Sequence, residues 1–216
     1  MRKSLWFIPA LLMFAAIGAP AAKADTIFTD LGPGYNANVG WDVTGSTSGA
    51  TGAFDAAGAF TSSGSYAVTQ IDLGIGNFSG TNGATVELTT DNSGAPGTVL
   101  QTWNISGQPV FGDTSTTLAT ISGITGIDIS AGTYFLVVLP DDSTTYDVWN
   151  FNSTAATGLS GVTGYLDPGN TEPAFDVLGS SISAPEPSSL ILLGAGLLGL
   201  VFIRRKGFAA GGLAQS

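Results

Sequence analysis

The 216-residue sequence contains no cysteine and no histidine. Without cysteine, the chain can form neither disulfides nor thiolate metal sites, and it has no thiol nucleophile. Without histidine, it lacks the commonest general base, the Ser-His-Asp arrangement and the imidazole ligands of transition metals. Only carboxylate, hydroxyl and amide chemistry remains. We therefore expect a protein that is not an enzyme and that carries no cofactor.

Basic residues are absent from the whole central part of the chain. Residues 25–183 contain fifteen Asp and Glu but no Lys or Arg, so their formal charge is −15. This segment can form no internal salt bridge, and it repels phosphate backbones and anionic lipid headgroups. We therefore expect no nucleic acid partner. The acidity is typical of a surface kept soluble by charge repulsion, with a divalent-cation requirement as the alternative.

Residues 1–24 have the three parts of a secretory signal peptide. Arg2 and Lys3 precede an apolar run over residues 5–17, which is too short to span a membrane stably. Ala22 and Ala24 are the small residues that signal peptidase requires, so cleavage is predicted after Ala24. The Sec translocon and signal peptidase are therefore expected partners, and an uncleaved N-terminal anchor is the alternative.

The C-terminal residues 184–216 also differ in composition from the centre of the chain. A proline-rich motif stands first, an apolar run over residues 190–203 follows, and a basic cluster comes last. The motif is Pro185, Glu186 and Pro187, and the basic cluster is Arg204, Arg205 and Lys206. The prolines keep the approach extended, and the basic cluster stays on the cytoplasmic side. Fourteen apolar residues predict a short transmembrane helix and hence a marginal, removable anchor.

With these three parts, the C-terminal tail resembles the PEP-CTERM sorting signals of Gram-negative bacteria. The resemblance implies recognition by an exosortase, a membrane enzyme similar to a transpeptidase. It also implies transient anchoring in the inner membrane, followed by release or transfer to the cell surface or extracellular polysaccharide. The alternative is a plain single-span anchor in which the prolines serve only as a linker.

The central residues 25–183 predict a single all-β domain of eight to ten strands. The clearest strand is Ala84–Thr90, where apolar and polar residues alternate, and a turn-rich segment joins it to a second strand over Thr98–Ile105. The alternation in that second strand is imperfect and suggests a bulge. Tyr134–Leu139 is apolar on both faces, which is typical of a central strand covered on both sides. We expect a jelly-roll-like β-sandwich, with a β-barrel as the alternative.

This central domain is similar to the exported modules called choice-of-anchor domains, especially type R. The residues that carry the resemblance are the segments 91–100 and 131–138, which are turn and strand patterns. The resemblance implies a jelly-roll-like surface domain, and it brings no settled activity with it.

Two groups of residues are candidates for ligand contacts. Tyr146, Trp149 and Asn150 form a possible sugar-binding patch, since aromatic rings stack on sugars, and packing of the indole in the core is the alternative. Asp141 and Asp142, with Asp147 nearby, offer oxygens for calcium. Their spacing fits no standard calcium loop, which favours a solvated turn, so we expect no metal.

Together these features predict a non-catalytic, secreted surface or extracellular-matrix protein. It is expected to be exported through the inner membrane, to be sorted by an exosortase-type system and to associate with exopolysaccharide or biofilm. The alternative is a carbohydrate-binding module or a glycoside-active domain at the cell surface. The aromatic residues and the sandwich fold motivate that alternative.

Overall fold

The fold is all-β in the computed structural model of the chain, which describes residues 24–182 and residue 197. Chain contacts divide the protein into one compact unit over Met1–Ser181 and another over Ile182–Ser216. All the described strands belong to the first unit. They are β1 Asp25–Thr29, β2 Tyr35–Thr44, β3 Ala56–Ser62, β4 Tyr66–Leu73, β5 Ile75–Ser79, β6 Gly83–Asp91, β7 Pro96–Ser106, β8 Ala119–Ser122, β9 Asp128–Ile129, β10 Gly132–Pro140, β11 Tyr146–Asn152, β12 Thr157–Val162, β13 Tyr165–Thr171 and β14 Phe175–Ser181.

These strands form three antiparallel sheets. The largest has six strands in the order β13-β12-β3-β10-β6-β7. A five-stranded sheet has the order β1-β14-β4-β8, with β9 also paired to β4. The third sheet has three strands in the order β2-β11-β5.

The five-stranded and three-stranded sheets join at Gly74, the single residue between β4 and β5. Its backbone N–H donates to Ala174 O at 2.9 Å, and its carbonyl accepts from Asn150 N at 2.8 Å. The main core contains residues from all three sheets, among them Ile71 and Val86. This arrangement is consistent with the expected β-sandwich.

The central strand β10 is buried on both faces, which confirms the prediction for Tyr134–Leu139. Leu136 and Val138 point into the main core. Phe135 and Val137 lie on the opposite face of the sheet, where they form a second apolar cluster with Ala57 and Ala59 of β3. The continuous apolar run follows from this two-sided burial, because a half-exposed strand would alternate.

The predicted hairpin is formed by β6 and β7, and the predicted bulge is present. The register between the two strands shifts at Leu88/Thr89 and again at Thr89/Asp91. As a result Leu100 packs against the main core, while the neighbouring Val99 is 45% exposed. In the turn, Asp91 Oδ1 accepts a hydrogen bond from Gly94 N at 2.8 Å, and Gly94 has a φ of 86° that favours glycine.

The predicted strand count was too low, because residues 24–182 contain fourteen strands instead of eight to ten. The missed strands carry little apolar alternation of their own. β8 and β9, for example, have only four and two residues. Their strand geometry depends on pairing with β4. The predicted signal helix and transmembrane helix lie outside the described residues.

Candidate functional site

Trp149, predicted as either a sugar contact or a core residue, is a core residue. Its side chain is 0% exposed, and its indole Nε1 donates a hydrogen bond to Ala174 O at 3.1 Å. The ring packs 5.5 Å from that of Phe175, measured between centroids. Asn150 is also buried, and its backbone takes part in the junction of the two smaller sheets. Neither side chain presents a surface to a ligand, so the predicted three-residue patch is not formed.

Tyr146 instead belongs to a different aromatic group, which we call the aromatic patch and define as Phe78, Phe111 and Tyr146. The ring centroids of Phe78 and Tyr146 are 4.7 Å apart, and those of Phe78 and Phe111 are 5.9 Å apart. Phe78 is 56% exposed, and the neighbouring Val110 is 70% exposed. Large aromatic side chains usually lie in the core of a β-sandwich, so an exposed Phe78 beside the partly exposed Phe111 and Tyr146 suggests a contact surface.

The aromatic patch forms because β5 alternates between the two faces of its sheet. Ile75 points into the core and Asn77 points the same way, so Phe78 points outward. The segment 109–111 crosses beside β5, held by hydrogen bonds from Asn77 N to Pro109 O and from Phe111 N to Asn77 O, both 2.8 Å. Gly76 permits this close approach, since a Cβ there would lie 3.0 Å from Phe111 Cα.

One polar contact at the aromatic patch joins Tyr146 to Asp42. The Tyr146 hydroxyl donates to Asp42 Oδ1 across 3.4 Å, a long hydrogen bond. Partial burial raises the pKa of Asp42 above its usual range, and the bond from Tyr146 opposes that rise. Partial burial and the nearby Asp42 carboxylate both raise the pKa of Tyr146. The patch therefore combines one exposed and two partly exposed aromatic rings with a hydroxyl and a carboxylate.

Asp142, one of the two calcium candidates, organises a turn. Its Oδ1 accepts hydrogen bonds from Thr144 N at 2.6 Å, Thr144 Oγ1 at 2.7 Å and Thr145 N at 3.1 Å. Its Oδ2 accepts from Thr81 Oγ1 at 2.6 Å, which ties the turn to the loop after β5. The hydrogen bonds from Thr81 and Thr144 lower the pKa of Asp142 to about 2. Both oxygens are thus occupied by donors of the protein.

Asp147 lies close in sequence but points into the interior. It is 0% exposed, and its Oδ1 accepts a hydrogen bond from Asn77 Nδ2 at 2.7 Å. Burial raises the pKa of Asp147 to about 7, the bond from Asn77 opposes the rise, and the nearby Asp141 adds to it. Asp141 and Asp142 are exposed. In the part of the chain described, no three acidic side chains come together as metal ligands.

Asp30 is a second buried acid that sequence patterns did not single out. Its Oδ1 accepts a hydrogen bond from Phe175 N at 2.8 Å, and its own N–H donates to Phe175 O at 3.3 Å. Burial raises the pKa of Asp30 to about 7, and the charges of Glu172 and Asp176 add to the rise while the bond from Phe175 opposes it. This carboxyl holds β14 in place, so we assign it a structural role.

Phe78 and Phe111 are the functional candidates that the sequence did not reveal. They lie 33 positions apart in the chain, and only the hydrogen bonds between β5 and residues 109–111 bring them together. The one available signal was the odd separation of Phe78 from Ile75 on one short strand, which places the two side chains on opposite faces of the sheet.

The residues predicted for sorting and processing lie almost entirely outside the described part of the chain. They are the sorting residues Pro185, Glu186 and Pro187, the basic residues Arg204, Arg205 and Lys206, and the cleavage residues Ala22 and Ala24. Of these, Ala24 alone falls within the described residues, where it is exposed just before β1. No helix in the described part of the chain has the length and apolar character needed to cross a membrane.

Comparison with known families identifies the tail. Residues 183–206 match the PEP-CTERM protein-sorting motif, which confirms the resemblance stated from the sequence. No curated protein matched the chain. The motif implies export, membrane anchoring before processing by an exosortase, and then display at the cell surface. The chain thus carries the tail of an exosortase-sorted surface protein.

Proposed function

We propose that this chain is a non-catalytic surface or extracellular-matrix protein whose acidic β domain is displayed and associates with exopolysaccharide. The observation that carries the proposal is the sorting motif at residues 183–206, which begins two positions after the end of β14 at Ser181. The signal peptide predicted over residues 1–24 fits the same route, through the Sec translocon, signal peptidase and the inner membrane. The displayed part is then the β domain.

The burial and hydrogen bonding of two acidic side chains support a non-catalytic role. A glycosidase needs two carboxyl groups that reach the sugar from its two sides. Asp30 and Asp147 have the raised pKa typical of a general acid, yet each is almost fully buried and is hydrogen-bonded within the fold. Their perturbed pKa values therefore have a structural explanation.

Sorting is tested by replacing the acidic residue of the motif. In exporting cells, Glu186→Ala is expected to leave the chain unprocessed in the membrane fraction, whereas the parent reaches the surface. Ser189→Ala, three residues further along the tail, is the matched control and is expected to sort as the parent does. Equal processing and surface display of parent and Glu186→Ala would contradict the proposal.

A carbohydrate-binding module is the second candidate, and the aromatic patch favours it. Phe78 and Tyr146 present neighbouring rings at the surface, with the Asp42 carboxylate beside the Tyr146 hydroxyl. Sugar rings stack their apolar faces on aromatic rings while their hydroxyls bond to polar groups, so this arrangement suits a neutral polysaccharide. An anionic polysaccharide is disfavoured by the charge of the domain.

Binding is tested on an array of neutral glycans with purified full-length chain. Phe78→Ala is expected to weaken saturable binding at least about tenfold, as truncation of a central aromatic contact usually does. Tyr165→Ala is the matched control, since Tyr165 is 80% exposed on β13, away from the three-stranded sheet. Undetectable binding by the parent, or equal losses in both variants, would refute this candidate.

A further inference from the structure

Strand β7 is a long edge of the six-stranded sheet. It has eleven residues, and among the described strands it pairs with β6 alone. Within residues 24–182, one side of β7 therefore presents a row of backbone N–H and C=O groups that pair with no other strand. An edge of this kind is a template for a further strand unless the sequence protects it with charge, proline or short length.

The other edges of the two larger sheets carry such protection, and β7 does not. At the opposite edge of the same sheet, β13 contains Asp167 and Pro168. In the five-stranded sheet, β8 has only four residues, and β1 has five and begins with Asp25. The only proline of β7 is Pro96, at its first position. β7 thus stands out as the unprotected edge of these sheets.

Charge also favours β7 as a place where two copies of this chain meet. Residues 92–112 contain no charged residue, although residues 25–183 carry a formal charge of −15. On the adjacent strand β6, Glu87 pairs with Thr102, and Asp91 pairs with Pro96 beside the hairpin turn. If two β7 strands paired, the two Glu87 residues would be three strand spacings apart, roughly 14 Å. That separation exceeds the screening length of about 8 Å at physiological salt, so repulsion there is weak.

Apolar side chains at this edge are only partly buried. Leu100, Trp103 and Ile105 pack against the main core and remain partly accessible. A groove of about 430 Å³ lies between β7 and the short edge strand β8, lined by residues 103–106 and 119–122. A strand added along β7 would cover the open side of this groove and complete the burial of Trp103 and Ile105.

We propose that β7 is a self-association edge through which two copies of this chain pair antiparallel and join their six-stranded sheets. Antiparallel pairing is required because two identical strands that meet symmetrically are related by a twofold axis. The pairing is centred on Gln101–Ser106, where the register of β7 with β6 is unbroken. The bulges beyond Leu88 bend the first part of β7 away from this regular segment.

A cysteine scan tests this arrangement, because the native chain has no cysteine. Single variants Gln101→Cys, Thr102→Cys, Asn104→Cys and Ser106→Cys place a thiol on exposed positions of β7. Antiparallel pairing about a twofold axis predicts that oxidation of the full-length chain gives a disulfide-linked dimer with a maximum at one position and a fall on either side. Tyr165→Cys on β13 is the control and is expected to give no dimer above background.

A flat or absent crosslinking profile along β7, or equal crosslinking of Tyr165→Cys, would overturn the proposal. The same cysteine variants also test whether a segment of the same chain covers the edge of β7. β7 thiols that are protected from a maleimide reagent while the chain stays monomeric would indicate that a segment of the same chain covers β7. That result would also overturn the proposal.

A charge variant supplies an independent measurement. Asn104→Glu puts an acid near the centre of the proposed pairing, opposite the uncharged Thr85 of β6, and two copies would bring it close to its own symmetry mate. We expect the dissociation constant of the dimer, measured by light scattering in detergent, to rise at least about tenfold. Thr125→Glu adds the same charge at an exposed turn position and is expected to leave the dimer unchanged. A dimer that persists in Asn104→Glu, or a monomeric parent, would refute the proposal.

Discussion

The buried carboxyl of Asp147 predicts that the domain becomes more stable as the pH falls from 7 to 5. Its pKa is about 7 in the folded protein against a reference value of 3.8, so the folded state binds the proton more tightly than the unfolded state. A raised carboxyl pKa contributes stability that is fully present below the unfolded value and is lost as the pH rises through the folded value. The contribution therefore changes between about pH 4 and pH 7.

The size of the effect follows from the two pKa values. Linkage between 3.8 and about 7 gives a gain of about 2 kcal/mol between pH 7 and pH 5 for this group. The full difference between neutral pH and strong acid is about 4 kcal/mol and represents an upper bound. For a domain of this size, 2 kcal/mol corresponds to a rise of roughly 4–8 °C in the melting temperature. The pKa of Asp30 is also raised to about 7, so this carboxyl also adds to the stability of the domain as the pH falls below 7.

The variant Asp147→Asn isolates this contribution. Asparagine keeps the shape of the side chain and the acceptor for Asn77 Nδ2 but does not ionise. We expect the variant to be more stable than the parent at pH 7, by up to about 4 kcal/mol, and nearly equal to it at pH 4. The assay is thermal unfolding followed by circular dichroism at several values of pH.

Asp128→Asn is the matched control, because it removes one surface charge from an exposed position. It is expected to keep the pH dependence of the parent. The reasoning fails if Asp147→Asn retains the full slope of melting temperature against pH, or if it is less stable than the parent at pH 7.

Three further predictions concern packing and local structure. Trp149→Ala should lower the free energy of unfolding by about 3–5 kcal/mol in denaturant titrations, because it leaves a cavity in the core and removes the hydrogen-bond donor to Ala174 O. A loss below about 1 kcal/mol would contradict the placement of Trp149 in the core. Asp142→Asn should loosen the turn that its carboxylate organises, seen as faster limited proteolysis between Asp141 and Thr145, and unchanged cleavage would argue against that role. Gly76→Ala should displace the segment that carries Phe111 and lower the melting temperature by several degrees, because the added Cβ would crowd the Phe111 backbone. An unchanged melting temperature together with unchanged Phe78-dependent glycan binding would contradict this close approach of residue 111 to Gly76.

The strands that the sequence predicted are those whose own pattern determines their burial. Ala84–Thr90 alternates because one face of β6 contacts the core, and Tyr134–Leu139 is apolar throughout because β10 is covered on both faces. In contrast, β2 contains Asn36, Asn38 and Gly40 and shows no clear period. Its extended conformation results from pairing with β11 over most of its length, and such long-range pairing leaves no local signal.

The candidate site also depends on contacts between segments that are far apart in the chain. Tyr146 and Trp149 are three positions apart, and on one strand an odd separation places two side chains on opposite faces. This rule alone argues against a patch that contains both, and the structure has Trp149 in the core and Tyr146 outside. The partners that Tyr146 does have, Phe78 and Phe111, come from segments far away in the chain. Identifying them requires the order of the strands in the sheet.

The pairing of β1 with β14 has a consequence for how the domain folds during export. These two strands are the first and the last of the domain, and Asp25 lies opposite Gly179. The edge of the five-stranded sheet therefore cannot close until nearly the whole domain has been exported, which makes closure a late and slow event. The sorting motif follows at residue 183, so the chain completes its fold at about the moment when its tail arrives in the membrane. A mutation that slows the docking of β14 would thus prolong the time for which a half-folded chain is held at the bilayer.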